Sequence, residues 1–432
     1  VPHIHASHSA EGDLFAEFER WVLPFVAFRC ASPALFPATG RGMRALRPVK
    51  SGDLVLEMRE EALFTRRNIR PAHVDVLAGE SFCTNGKVFL AMGLILEYLD
   101  PHSRWAPYIS ILPAKLTSPT YWPAGVSSEL KGTQLENYAH HQLFALAATF
   151  HEYVRPFFQK HPHLAYNRTH LITMDLWQWG LSMVFSRGYW MPDDQPAIIP
   201  YADMFNHGGK ANYYFDTKSR TFKVFALQDY KEGDEVFITY GTKNDENLRE
   251  YGFILQDVSE FQAIVDVDSF PSDDDAMYAK KLDLMELWGL GTSRWTLTCN
   301  GVPAPLLQAL RLKHTPSALV CSLLHKEQLS VPQCPAVERV VWASLAAALQ
   351  AALDKFPTTM EEDNTILAQE ALSYERWLAV RYRLGVKNVI STCCAVCLEK
   401  ADSTTQANLS SPNFASEGDR LETSCCGVAT DT

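Results

Sequence analysis

The chain has 432 residues, which is enough for two or more domains that each bury a hydrophobic core. Its formal charge is −11 and it has no block of consecutive Lys or Arg, so the sequence argues against nucleic-acid binding and favours a protein partner. No apolar run approaches the roughly 20 residues that a membrane-spanning helix requires, and we therefore predict a soluble protein that does not associate with membranes.

The cysteines outside the C-terminal tail indicate a reducing compartment. They are scattered through apolar context, which is typical of buried thiols rather than of a disulfide framework. They are Cys30, Cys83, Cys299, Cys321 and Cys334. The first residues lack the basic-then-apolar order of a secretory signal. We expect an intracellular monomer, and the sequence does not distinguish among cytoplasm, nucleus and plastid.

Helical and strand-like patterns alternate along the first half of the chain. An amphipathic helix is predicted at residues 13–28, where Pro24 interrupts it, and a β-rich block punctuated by Pro and Gly follows. Helical patterns dominate from about residue 82 to about residue 185, and a second β-rich block succeeds them. The two β-rich blocks are thus separated by a helical insertion that is too long to be a loop.

The two β-rich blocks contain an internal repeat. The stretch "ALRPVKSGDLV" (45–55) and the stretch "ALQDYKEGDEV" (226–236) share A-L, K, G-D and V at identical spacing. In each copy Lys-x-Gly-Asp is typical of a tight turn, in which Gly52 and Gly233 take a positive φ before a strand. Because the copies lie far apart in sequence, we expect two similar hairpins packed in one β-rich core rather than a stacked solenoid.

The second half of the chain is predicted to be helical. Apolar residues recur at helical spacing through residues 260–392, which we assign to an all-α domain, and Pro357-Thr358-Thr359 ahead of three acids predicts a Thr-capped helix. The tail, 393–432, is rich in Ser, Thr and Asn and is predicted to be disordered. Only Cys394-x-x-Cys397 has metal-ligand spacing, so we predict no metal site and expect exposed or lipid-modifiable thiols.

Three short features interrupt the apolar patterns. They are "TGRG" at 39–42, Asn206-His207 after the apolar run "IIPYADMF", and Tyr240 at the end of a predicted strand. Taken singly, each has a structural explanation: a plain turn, a polar strand end and a packing tyrosine. Their fixed order along one chain is more specific than any of them alone.

That order resembles the SET-domain methyltransferases, in the branch typified by the plant Rubisco large-subunit lysine methyltransferase. The resemblance rests on "GRGMRALRPVKSGDLVLE", "FSRGYW", "IPYADMFNH" and "ALQDYKEGDEVFITYGTKNDENLREYGF". The insertion and the C-terminal region, with "YERWLAVRYRLGVKNVI", are also similar to that branch. The resemblance implies an α+β fold: a β-rich SET core at 13–256 with a helical insertion at about 82–185, then an all-α substrate-binding domain at 260–392.

The same resemblance implies S-adenosylmethionine (SAM) as the methyl donor and assigns roles to residues. Tyr240 matches the family's catalytic tyrosine, which lies beside the methyl group and need not be a strong base. The positions that match the family's cofactor site are Thr39, Gly40, Arg41, Gly42, Asn206, His207 and Phe253. The positions that match its substrate site are Arg187, Asp203 and Tyr251. Arg187 and Asp203 have the alternative of a structural ion pair, and Tyr251 and Phe253 that of core packing.

The resemblance favours a lysine of a non-histone protein as the methyl acceptor. A relative in the same branch methylates a histidine of actin and carries Trp just before the Asp of its D-M-x-N-H motif, whereas this chain has Ala202 there, as in the lysine-modifying members. Histidine methylation and a catalytically silent binding module remain the alternatives. A scaffold has no need of Asn206, His207 and Tyr240 together, which argues against the last of these.

Overall fold

The computed structural model describes residues 8–193, 195–208, 211–241 and 243–409. The chain forms two compact units. The first comprises 1–260 and 364–383, and the second comprises 261–363 and 384–432.

Short strands form the β-rich part of the first unit. They are β1 (Val26–Arg29), β2 (Ala31–Phe36), β3 (Gly40–Ala45), β4 (Leu54–Arg59), β5 (Gly188–Trp190), β6 (Pro196–Ile198), β7 (Asn206–His207), β8 (Ala211–Asp216), β9 (Thr221–Ala226) and β10 (Glu235–Ile238). One sheet has the order β1-β4-β9-β8, a second has the order β2-β3-β10-β7, and β5 pairs with β6. All these pairs are antiparallel except β10 with β7, which is parallel.

The two copies of the sequence repeat pair with each other through equivalent backbone groups. Val49 and Tyr230 exchange two N–H···O bonds of 2.9 and 2.8 Å. Gly52 N donates to Ala226 O at 2.7 Å, and Gly233 N donates to Ala45 O at 2.9 Å. Both glycines have the predicted positive φ, +92° and +88°. The prediction that both copies pack in one β-rich core is confirmed.

Helices make up most of the remainder of the first unit. They are α1 (His8–Val22), α2 (Pro71–Ala78), α3 (Gly86–Leu99), α4 (Ala106–Ile109), α5 (Ala124–Ser127), α6 (Tyr138–Thr149), α7 (Arg155–Lys160), α8 (Met174–Arg187) and α9 (Asn244–Glu246), with wide π turns at Phe150–Val154 and Asn247–Tyr251. Helix α3 begins where the Asn85 side chain accepts from the backbone N–H of Lys87 and Val88. Helices α3 and α8 pack closely because Gly180 of α8 has no Cβ, which would lie 2.9 Å from Ile95 Cδ1.

The second unit is mainly helical, as predicted, and also contains a two-stranded antiparallel sheet that the sequence did not indicate. Its strands are β11 (Gln262–Asp266) and β12 (Arg294–Thr298), and the helices that follow α9 are α10 (Tyr278–Trp288), α11 (Ala304–His314), α12 (Ser317–Val320), α13 (Pro335–Leu353), α14 (Met360–Leu367) and α15 (Tyr374–Leu409), of which α14 and α15 also contribute residues to the first unit. The predicted cap is present, because Thr359 Oγ1 accepts from Glu362 N at 3.1 Å. The predicted α+β class with a helical C-terminal domain is confirmed.

Helix α13 is more apolar than the sequence analysis anticipated. By length and composition alone it could cross a membrane, with a mean hydropathy of 1.3. Its buried residues include Val341, Leu345 and Leu349, which recur at helical spacing. A core helix of a globular unit passes the same test, so this helix is weak evidence for a membrane segment.

The predicted disorder from Cys393 onward is wrong for the first part of the tail. Helix α15 continues to Leu409, and Cys393, Cys394 and Cys397 are buried in it. These thiols behave as small apolar residues, and burial raises the pKa of Cys397 to about 12. Residues 410–432, with Cys425 and Cys426, lie outside the described part of the chain.

The prediction of buried thiols elsewhere is only partly correct. Cys30 and Cys83 are buried, whereas Cys299, Cys321 and Cys334 are exposed. The exposed three lie in loops and turns of the second unit, where an apolar neighbour in sequence does not imply burial.

Candidate functional site

The glycine-rich turn at the start of β3 meets the Asn206 side chain. Asn206 Nδ2 donates to the carbonyl oxygen of Arg41 at 2.8 Å and to Glu235 Oε1 at 2.8 Å. Thr39 Oγ1 donates to the other carboxylate oxygen of Glu235 at 2.6 Å. A Cβ on Gly42 would lie 2.2 Å from Glu235 Oε1, so any larger residue here would displace the glutamate side chain. Thr39, Asn206 and Glu235 therefore form one hydrogen-bonded group with Gly42 packed against it, and we call these four residues the Glu235 group.

Gly40 and Arg41 complete this turn. Gly40 has φ +73° and no heavy atom lies within 4 Å of where its Cβ would be, so its backbone stays open to solvent. The guanidinium of Arg41 donates to Ile111 O at 2.8 Å and lies over the Phe15 ring. The turn thus has a fixed end, held by Arg41, and an open end.

Sequence reasoning missed Glu235. The available signal lay in the internal repeat, in which the position matching Glu235 is the apolar Leu54. An acid that replaces an apolar strand residue in one copy needs a polar partner. In the structure that partner is the amide of Asn206.

His207 holds the backbone of Tyr240. Its Nδ1 accepts a hydrogen bond from Tyr240 N at 2.9 Å, so the neutral ring carries its proton on Nε2. Burial lowers the pKa of His207, which favours this neutral form. The imidazole also packs near the Phe253 ring, with centroids 5.7 Å apart. Parallel pairing of β7 with β10 brings His207 next to the strand that leads into Tyr240.

The Tyr240 hydroxyl is held by the backbone. It donates to the carbonyl oxygen of Phe205 at 2.9 Å. Burial raises the pKa of Tyr240, so the phenol is neutral at pH 7 and is not a base. Its ring packs against Tyr251 at 4.5 Å and Phe253 at 6.2 Å between centroids. The side chains of Tyr240, Tyr251 and Phe253 thus form one aromatic cluster.

Arg187 and Asp203 form an ion pair. Arg187 Nη1 lies 3.0 Å from Asp203 Oδ2, which also accepts from the Tyr108 hydroxyl at 2.6 Å. Burial alone would lower the pKa of Arg187, but the adjacent carboxylate raises it overall. The Asp203 side chain is fully buried, and among the described residues its Oδ1 and Arg187 Nε have no hydrogen-bond partner. Arg187 Nη1 and Asp203 Oδ2 thus form the ion pair that the structural alternative predicts. Arg187 Nε and Asp203 Oδ1 remain available to hydrogen-bond a ligand.

Tyr108 was also missed by sequence reasoning. It lies in α4, about a hundred residues before its partner Asp203, and no local pattern links the two positions. Burial raises the pKa of Tyr108 well above its usual range, and the charge of Asp203 raises it further.

A cavity of about 230 Å³ contains four of the predicted residues, Arg187, Asp203, Tyr240 and Tyr251. Its other walls are mostly aromatic or charged, and they include Lys87, Phe185, Tyr189, Trp190, Phe205, Tyr213, Glu246 and Glu250. The residues of the Glu235 group, together with Gly40, Arg41, His207 and Phe253, do not line it. The structure thus separates the predicted site into a cavity and a glycine-turn region, which meet where His207 binds Tyr240 N.

Two family models match the chain. The SET domain model matches residues 40–241, and the Rubisco LSMT substrate-binding model matches residues 272–390. Together they cover most of the chain.

Similar proteins are known by sequence and by structure. Actin-histidine N-methyltransferases of Canis lupus familiaris and Homo sapiens are 28% identical over 401 and 383 residues, which cover 86% and 82% of this chain. The chain spans 66% and 63% of the length of these two relatives. A structure of Rubisco LSMT bound to sinefungin and monomethyllysine superposes with a TM-score of 0.74 at 20% identity, covering 94% of this chain and 97% of that one. At that identity the likeness shows the fold.

A structure of the LSMT SET domain bound to lysine and AdoHcy superposes with a TM-score of 0.73 over 96% of this chain and 98% of that one. The order of the two matched domains agrees with the fold described above. The chain belongs to the SET-domain proteins that carry a C-terminal Rubisco LSMT substrate-binding domain.

Proposed function

We propose that the protein is a SAM-dependent protein N-methyltransferase that modifies a side-chain nitrogen. The observation that carries the proposal is the contact between the two halves of the site, where His207 joins the glycine turn to a cavity that contains Tyr240. The family of the chain and the ligands of its structural relatives, which include AdoMet and sinefungin, support it. The activity, the cofactor and all residue roles below are part of this proposal.

The glycine-turn region has the chemistry that SAM requires. The open backbone at Gly40 allows close approach of a ligand, and Glu235 fixes the Asn206 amide so that its remaining polar atom has a defined direction. We assign cofactor contacts to Thr39, Gly40, Arg41, Gly42, Asn206, His207 and Phe253. When bound, SAM supplies an electrophilic methyl group on a sulfonium.

The cavity residues would align the acceptor and exclude water. Methyl transfer to nitrogen is an in-line displacement, so positioning matters more than base strength. The neutral Tyr240 hydroxyl, fixed on Phe205 O, suits that task. Asp203 Oδ1 can accept a hydrogen bond from an acceptor N–H, which gives the Arg187–Asp203 pair a role in substrate binding.

We infer that the acceptor is a histidine of a protein. The actin-histidine N-methyltransferases, which align with most of this chain, support this acceptor. An imidazole, with a usual pKa near ~6.5, is already neutral at pH 7. One ring nitrogen can attack while the other donates its proton to Asp203 Oδ1.

Lysine is the second candidate. The aromatic lining of the cavity suits an alkylammonium through cation–π attraction, and Ala202 stands where the histidine-modifying relative has Trp. A lysine has a usual pKa near ~10.4 and must lose a proton before it attacks. Desolvation in the cavity would lower that pKa.

The decisive experiment is incubation with isotope-labelled SAM and a cell lysate, followed by identification of the labelled protein and residue. With that substrate, kcat/KM should level off above about pH 7 for a histidine acceptor and keep rising toward about pH 10 for a lysine. Calorimetry provides the test of the enzyme itself. A protein that binds no SAM would be a binding module rather than a methyltransferase.

A further inference from the structure

Lys87 occupies an unusual position at the cavity that contains Tyr240. It is the second residue of helix α3, and its side chain lines the cavity together with Phe185 and Trp190. Its ammonium nitrogen lies 4.2 Å from the centroid of the Phe185 ring and 5.4 Å from that of the Trp190 ring. Two aromatic faces therefore hold one cation at the wall of the acceptor cavity.

No acid in the described part of the chain neutralises the charge of Lys87. Among the residues that the structure describes, Lys87 makes no ion pair, whereas the other charged groups of the cavity are paired. Arg187 lies 3.0 Å from Asp203, and Arg249 lies 3.1 Å from Glu250 and 4.0 Å from Glu246. Glu246, Glu250 and Arg249 together leave a net negative charge beside the cavity. Lys87 leaves a net positive charge on its part of the cavity wall.

The electrostatics of helix α3 offer no reason for a lysine at this position. A positive charge in the first turn of a helix opposes the helix dipole, and α3 has no acid in that turn to offset it. The cap of the helix is the Asn85 side chain, which accepts from the Lys87 backbone N–H and does not involve the ammonium. The cation–π contacts fix the position of the charge without cancelling it.

We propose that Lys87 is a specificity-determining residue that binds a carboxylate of the substrate polypeptide, an Asp or Glu close to the methylated residue. The inference rests on the proposed function and refines it, because it names the substrate class as a segment with an acid beside the acceptor. A carboxylate pairs with Lys87, while the net negative charge of Glu246, Glu250 and Arg249 disfavours an acid close to those three residues.

The test uses arrays of short peptides with a central His or a central Lys, in which Glu, Gln or Lys is placed at each flanking position in turn. The 432-residue chain is compared with Lys87→Met, Lys87→Arg and Lys87→Glu, and Lys218→Met serves as a matched control because Lys218 is exposed in the turn between β8 and β9. Two readouts are taken on each array: bound protein and methyl transfer from labelled SAM.

We expect the wild type to prefer Glu over Gln at one flanking position by about three- to fivefold at low salt, with the preference shrinking as salt rises. Lys87→Met should abolish that preference, Lys87→Arg and Lys218→Met should keep it, and Lys87→Glu should prefer Lys at the same position. A preference that survives in Lys87→Met, or an array without enrichment of acids, overturns the inference.

The two readouts separate this inference from the proposed function. An acid preference in binding without methyl transfer would support the role of Lys87 and count against the enzyme. Methyl transfer without an acid preference would support the enzyme and count against the role of Lys87.

Discussion

Substitution of Gly42 by Ala tests the Glu235 group. The added Cβ would lie 2.2 Å from Glu235 Oε1, at the far end of a flexible side chain, so the glutamate can rotate away without moving the backbone. It would then lose its bonds to Asn206 Nδ2 at 2.8 Å and to Thr39 Oγ1 at 2.6 Å. A hydrogen bond to a charged group contributes about 1.5–3 kcal/mol, and the exposed Thr39 bond lies at or below the bottom of that range.

Only part of that free energy should affect cofactor binding, since Asn206 keeps its bond to Arg41 O. A loss of about 1.4 kcal/mol corresponds to a tenfold change in Kd. We therefore expect Gly42→Ala to weaken SAM binding about tenfold in calorimetry. Gly125→Ala is the matched control, because no atom lies within 4 Å of its Cβ and it should bind SAM like the wild type.

A double-mutant cycle makes the reasoning refutable. If Gly42→Ala acts by displacing Glu235, then adding it to Glu235→Ala should cost nothing further, because the displaced group is already absent. Additive losses in the double variant would show that Gly42→Ala acts by a route other than displacement of Glu235. An unchanged Kd for Gly42→Ala alone would show that the Glu235 group does not position the cofactor site.

Three further predictions follow from the site and the core. Tyr240→Phe removes the bond to Phe205 O and should lower kcat on the order of a hundredfold with SAM affinity nearly unchanged in calorimetry; lost affinity would mean a structural role. Burial lowers the pKa of His207, so its contribution to the free energy of unfolding is present above the unfolded pKa of about 6.5 and is lost as pH falls through the lowered folded value. His207→Gln should therefore show a smaller loss of thermal stability between about pH 7 and pH 5 than the wild type. An equal loss in the variant and the wild type would contradict this prediction. Gly180→Ala would place Cβ 2.9 Å from Ile95 Cδ1 and should destabilise the first unit by about 1–3 kcal/mol in chemical denaturation, whereas a stabilised variant would show that α3 and α8 adjust freely.

Local sequence patterns predicted the parts of the fold that local chemistry decides. The turns at Gly52 and Gly233 were predicted because a Lys-x-Gly-Asp sequence with positive φ at Gly has few other conformations. The Thr359 cap was predicted because a Thr that precedes acids in the first turn is a local signal for the start of a helix. The antiparallel pair β11–β12 was missed because two short strands within a helical region have no distinctive periodicity of their own.

The contacts that organise the site were less accessible to sequence reasoning. Glu235 binds Thr39, and Tyr108 binds Asp203, between segments that are far apart along the chain. Such contacts depend on tertiary packing, and no spacing rule reports them. The resemblance identified Asn206, His207 and Tyr240, while the structure added that His207 accepts from the Tyr240 backbone.

Composition proved a poor guide to the tail. Its Ser, Thr and Asn content predicted disorder from Cys393, yet the helix continues to Leu409, and three cysteines in its first part are buried like apolar residues. A prediction from composition does not distinguish the residues that a helix buries from those that it exposes.

The reciprocal pairing of the two repeat copies has a consequence for synthesis of the protein. Val49 can pair with Tyr230 only after the ribosome has added on the order of 180 further residues, which takes about 10 to 40 s at ordinary translation rates. During that interval the backbone groups of Val49 and Gly52 lack the partners that the second copy supplies, while the helices of the insertion, whose contacts are local, can already form. The nascent chain therefore presents an open strand edge, and truncation within the insertion would leave that edge free to pair with other chains.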